Sequence, residues 1–222
     1  MVKNHQTVVL VMCVIKGDGN AGCRKMRSSL FNTQLEHIAA GLKTAPARRA
    51  YEALKQAVKT VEAGDVAAAI GQLREIHRGR SLSREHGDVQ ALALIAEGDL
   101  LYYEKREPAE ALKRYGSALD KTRHPYVKAW AHKEIGLIGY GSQAIALNVV
   151  KKHFSEALQE SEEVGDAAQR ARILLPIATI YKYDGASMEA QTLVVKVGEI
   201  CRSDCERDVR EEIALYRESW GR

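Results

Sequence analysis

The stretch GDVQALALIAEGDLLYYEKREPAEALKRYGSALD, Gly87–Asp120, decides the fold. Its apolar residues recur at the spacing of one helix face, interrupted once at Arg106-Glu107-Pro108. Small residues stand where a core would be expected to carry bulky ones: Ala91, Ala96, Gly98, Ala111 and Ala118. Packed helices run about 8–10 Å apart, and small side chains at the crossing allow the closest approach. Ala96 and Gly98 on one helix, with Ala111 and Ala118 on the next, read as crossing positions. Tyr102 and Tyr115 read as the large side chains that fill the neighbouring holes.

The whole chain suits that reading. Its 222 residues include only four prolines, 45% are apolar and 28% are charged. This is a helix-favouring balance for a folded domain or a short array of repeats. Aromatics make up 6%, so the core must be built mainly from aliphatic residues and alanine. A net charge of +4 is too mild for a nucleic-acid surface on its own, and nucleic acid is not the expected partner. Four cysteines do not make a disulfide scaffold, and a reduced, cytoplasmic setting is the simplest expectation. Residues 7–15, TVVLVMCVI, form an apolar run too short to cross a membrane. The alternative for residues 1–23 is a targeting or lipid-anchoring segment, which Lys16, Asp18 and Asn20 disfavour.

From Met26 onward the chain reads as helix after helix. Residues 28–42 form an amphipathic segment, and Thr44-Ala45-Pro46 starts the next helix, which stops at Gly64-Asp65. A second helix is expected from Val66 to His86. Gly87-Asp88, His124-Pro125 and Gly165-Asp166 are each expected to break the chain just ahead of a new helix. Ala91, Gly98, Leu100 and Tyr102 fall on Ala129, Gly136, Ile138 and Tyr140 in the next segment, and Ala178 and Tyr181 follow in a third. A period of about 39 residues with two helices per period indicates a repeat architecture. Gly139-Tyr140-Gly141-Ser142 reads as a turn, followed by a long helix from Gln143 to Val164. Pro176 should kink its helix.

In Gly98, Leu101-Tyr102, Ala111, Tyr115 and Ala118 the chain resembles the tetratricopeptide repeat (TPR) family. Ala57, Gly64, Asp65, Ala69 and Leu73 form a weaker copy, Trp130, Gly136, Tyr140 and HFSEAL (153–158) a third, and Ala178, Tyr181, Gly185 and Ala190 a fourth. The resemblance covers roughly residues 46–200. It implies an all-α fold: a right-handed α-solenoid of stacked antiparallel helix pairs, about eight helices in all. Residues 1–25 would be an N-terminal extension, 26–200 the repeats, and 201–222 a capping helix with Val209, Ile213 and Tyr216 facing the array.

No P-loop, dinucleotide glycine run, HExxH or nucleophile elbow is present. No enzyme activity, cofactor or metal is therefore expected. Cys201 and Cys205 lie one helical turn apart, but two thiolates do not complete a zinc site, so they read as buried or incidental cysteines. The seven histidines show no ligand spacing. Arg74, His77, Arg78, Arg80, Arg84 and His86 read as a solvated basic face, and Glu160, Glu162 and Glu163 as an acidic patch at a helix end.

TPR arrays bind peptides in a groove lined by the first helices, so the resemblance implies a protein or peptide partner. The family's carboxylate-clamp Lys and Asn have no counterpart here. Tyr102, Tyr103, Trp130, Lys133, Tyr140 and Tyr183 are the expected lining of a more apolar groove. The expected function is a non-enzymatic interaction scaffold. The alternatives are a peptide- or ligand-sensing regulator and an envelope-associated assembly factor. Exposed end pairs also admit a homo-oligomer.

Overall fold

The computed structural model describes residues 38–165 and 167–202, together with Leu35, Cys205 and Arg210. The expected N-terminal extension lies outside these residues. So do most of the capping helix and Asp166. Among the described residues the chain is all-helical, without strands, and forms eight helices in four consecutive pairs. The first helices are α1 (Ala45–Glu62), α3 (Arg84–Tyr103), α5 (Pro125–Ser142) and α7 (Ala167–Tyr183). The second helices are α2 (Val66–His77), α4 (Pro108–Lys121), α6 (Leu147–Glu162) and α8 (Ser187–Ile200). No helix is long and apolar enough to cross a membrane.

Local chemistry sets most boundaries. Gly64 ends the turn after α1 in the left-handed region at φ 92°, and Asp65 caps α2 by accepting a bond from the Ala68 amide at 2.9 Å. Ser83 caps α3 in the same way, accepting from the His86 amide at 3.1 Å. Pro108 and Pro125 open α4 and α5, where their missing amide hydrogens cost nothing. Gly185 turns the chain between α7 and α8 at φ 82°.

Each helix packs on the next in the chain, and α1 also meets α3, α3 meets α5, and α5 meets α7. The first helices therefore form an inner layer, and their sequences show why. α3 buries every residue from Gly87 to Tyr103 except Asp99, so it is covered around nearly its whole circumference, with the polar Asp88, Gln90 and Glu97 among the buried residues. Its partner α4 buries only Ala111, Tyr115 and Ala118, a single stripe. The same spacing recurs in every second helix: Ala69-Leu73-Ile76, Ala111-Tyr115-Ala118, Val150-Phe154-Ala157 and Ala190-Val194-Val197 are all buried. In the second and third pairs the middle member of the stripe meets a glycine of the first helix. A Cβ on Gly98 would stand 2.8 Å from the Tyr115 ring, and one on Gly136 would overlap the ring of Phe154. Tyr115 and Phe154 are fully buried, each contributing on the order of 2–3 kcal/mol of hydrophobic stabilisation.

Several expectations need correction. α2 stops at His77, and the break falls at Gly79 (φ 87°) rather than at Gly87-Asp88. Gly87 lies inside α3, where a Cβ would meet the Lys121 carbonyl oxygen at 2.7 Å; this glycine serves a close helix approach, not a turn. Gly139 to Ser142 likewise continue α5, which ends at Gln143 in the left-handed region at φ 54°. The second helix of that pair is correspondingly shorter than expected, Leu147–Glu162. Cys201 and Cys205, expected as thiols, are joined in a disulfide across a Cα separation of 4.8 Å. α7 runs through Pro176 as a single helix.

Candidate functional site

The residues expected to line a groove do not share one open surface. Tyr102 and Tyr103 are buried at the end of α3, with ring centroids 4.9 Å apart in an edge-on contact. Burial raises the Tyr102 phenol above its ordinary value, against the opposing charge of Arg106. Trp130 and Lys133 are buried on α5 and meet at Glu134: the indole donates to Oε1 at 3.1 Å, and the Lys133 ammonium lies 2.8 Å from the same oxygen. That ammonium also sits 5.9 Å from the Trp130 ring centroid. Tyr140 is half-buried and packs against the core. Tyr183, at the end of α7, is 56% exposed. Most residues of α3 and α5 are buried, so most of the aromatics on these two helices serve packing.

The basic stretch is divided: Arg78, Arg80 and Arg84 are exposed as expected, whereas Arg74 and His77 turn inward. Glu97 of α3 is fully buried and collects two arginines and a histidine from two other helices. Arg74 donates to its Oε1 at 2.7 Å, His77 Nε2 lies 2.7 Å from Oε2, and Arg114 Nε approaches Oε1 at 3.1 Å. Burial alone would raise the Glu97 carboxyl, but the hydrogen bonds from His77 and Arg74 and the charge of Arg114 hold it below its ordinary value. The carboxylate thus bolts α2 of the first pair and α4 of the second onto α3. The loops are stitched similarly. Glu85 accepts from the Lys43 and Thr44 amides at 2.9 Å each, satisfying donors at the start of α1. Asp88, also buried, accepts from Thr122 Oγ1 at 2.6 Å and from the Arg123 amide at 3.2 Å, ahead of α5. The expected acidic patch is paired off: Glu160 with Lys128 at 2.9 Å and Glu162 with Lys196 at 2.8 Å.

An apolar surface opens at the last pair. Met188 is 81% exposed and Val195 48%, both on α8 and near Tyr183 in the chain. Beside them lies a shallow cleft of about 760 Å³, with Leu158, Tyr181, Met188 and Leu193 among its lining. Lys151 and Asp184 pair nearby at 3.0 Å. Nothing in the sequence marked this surface beyond Tyr183, because its apolar members are spread over three helices.

One further cluster escaped the sequence reading. His132 of α5 and His153 and Glu156 of α6 bring three ligand atoms within 4.8 Å of one another. The two Nδ1 atoms are 2.9 Å apart, and Glu156 Oε2 lies 3.1 Å from His132 Nδ1 and 3.5 Å from His153 Nδ1. Burial lowers both histidines below their ordinary value, against the raising charge of Glu156, so the neutral rings are favoured. His153-x-x-Glu156 is the available signal, since residues three apart share a helix face. His132 joins them only through the packing of the pair.

No family model, no curated protein and no solved structure matches the chain.

Proposed function

We propose that the chain is a TPR-like α-solenoid, a right-handed stack of antiparallel helix pairs, acting as a non-enzymatic scaffold that binds a segment of a protein partner. The observation that carries this reading is the buried triad repeated in all four second helices, together with contacts that run from each first helix to the next. Such an array leaves its end pairs with surfaces that no further repeat covers. The partner surface proposed here is the cleft at the last pair, lined by Met188, together with the exposed Tyr183 and Val195 on the same two helices. Contiguous exposed apolar side chains mark interaction sites, and methionine adapts to varied partners.

The test compares affinity capture by the wild-type protein and by a Met188→Glu/Val195→Glu variant, with Leu82→Glu, in the α2–α3 loop, as an exposed control. The reading expects a defined set of proteins to be retained by the wild type and the control but lost from the double variant. Identical sets from all three would contradict it. Light scattering on the same samples identifies the case in which the partner is a second copy of the chain.

The Cys201–Cys205 disulfide favours a second reading, an envelope-associated assembly factor exported through residues 1–23, because disulfides persist in oxidising compartments. Mass spectrometry of the native N-terminus separates the two: a retained Met1 or Val2 excludes a cleaved leader.

A further inference from the structure

We propose that His132, His153 and Glu156 form a transition-metal site of the zinc class that clips α5 to α6. The three ligand atoms outline a triangle with edges of 2.9, 3.1 and 3.5 Å. In a tetrahedral zinc site with bonds of about 2.0–2.1 Å, ligand atoms stand roughly 3.3 Å apart. One face of that tetrahedron is already built, and shifts of a few tenths of an ångström complete it.

The metal-free arrangement also asks for a cation. Three potential ligand atoms converge on one point, and a single proton on one Nδ1 can bridge only part of that triangle. The rings face each other with centroids 5.2 Å apart. Neutral imidazoles are the form that ligates. The other Glu156 oxygen lies 3.8 Å from Lys152 Nζ, which leaves Oε2 free to turn toward the metal.

The donor set decides the metal class. Two imidazole nitrogens and one carboxylate suit zinc, cobalt, nickel or copper, whereas magnesium and calcium prefer all-oxygen shells. The side chains of His132, His153 and Glu156 are 15%, 20% and 35% exposed, so the site opens to solvent on one side and leaves a fourth position for water. The two helices are also joined by the Gln143–Ala146 connection and pack through Gly136 on Phe154 and Gly139 on Val150. A metal here adds a cross-link between the halves of the third pair.

The experiment uses the full chain, stripped with a chelator and titrated with Co²⁺ and Zn²⁺. The expected results are one Co²⁺ per chain with the visible d–d absorption of a tetrahedral site, displacement by Zn²⁺, and no response to Mg²⁺. Zinc at a hundredfold excess over its Kd should raise Tm by roughly 5–10 °C. His132→Asn, His153→Asn and Glu156→Gln, each checked for helicity, should abolish both effects. In the wild type, histidine ring ¹⁵N shifts should place the metal on Nδ1 of two histidines, a readout that does not depend on the variants folding. No cobalt absorption, coordination by a different number of histidines, or binding that survives all three substitutions would overturn the proposal.

Discussion

The ring of Tyr115 occupies the space into which a side chain on residue 98 would grow. A Cβ built on Gly98 stands 2.8 Å from the ring, and the phenol is pinned by its hydrogen bond to Asp99 Oδ1 at 2.6 Å. Gly98→Ala therefore gains about 1 kcal/mol of helix propensity but overpacks a buried site at a cost of typically 1–3 kcal/mol. The variant should be less stable, and Gly136→Ala should behave alike against Phe154. Gly116→Ala, whose Cβ would meet nothing within 4 Å, should be stabilising by up to about 1 kcal/mol. Urea denaturation of the three variants checks the opposite signs. Adding Tyr115→Leu to Gly98→Ala should relieve part of the loss, with a coupling of at least ~0.5 kcal/mol.

Removing the Glu97 carboxylate strands cations from two helices. Breaking a buried ion pair costs about 3–5 kcal/mol. The Arg74 side chain is 41% exposed and can rehydrate, so Glu97→Ala should lose about 2–3 kcal/mol by chemical denaturation. The sign with pH follows from the depressed carboxyl. Its stabilisation is present above the unfolded value and is lost as pH falls through the lower folded value. Glu97→Gln should therefore show a weaker acid dependence than the wild type.

A second pH effect comes from His124, at the start of α5. Burial lowers it below the ordinary 6.5; Arg84 adds to the lowering and Asp88 opposes it. A folded-state pKa below the unfolded one means that the unfolded chain binds the proton more readily. Stability is present above about pH 6.5 and falls as the solution is acidified through that range. His86 shifts in the same direction, first through burial and then through Lys121 and Arg49. With chelator present, His124→Asn should lose less stability between pH 7.5 and 5.5 than the wild type, read as urea midpoints. Equal losses would contradict this.

The legible part of the fold was its local sterics. Gly98, Ala111, Tyr115 and Ala118 announce a crossing within a single helix pair, and the same pattern recurs at about 39 residues along the chain. What escaped the sequence depends on partners far away. Gly87-Asp88 looks like Gly64-Asp65, yet the first is set by the Lys121 carbonyl and by Thr122 and Arg123, more than thirty residues on. Arg74 and His77 look like a basic surface until the carboxylate of Glu97 is placed between them. His132 and His153 lie on different helices, so no spacing rule joins them. Most of the expected groove residues are interior because α3 and α5 are packed against neighbours on nearly every side, which the aromatic pattern alone did not reveal.

The central claim is that the pairs stack in order and that the first and last do not close on each other. Spin labels at the exposed Ala67 of α2 and Gln191 of α8, in a background with the native cysteines replaced by serine, measure this directly by pulsed dipolar spectroscopy. Three successive pair-to-pair steps of about 10 Å predict a separation of about 30 Å or more. A distance of about 10–15 Å, that of neighbouring helices, would mean a closed bundle and would contradict the stacked arrangement.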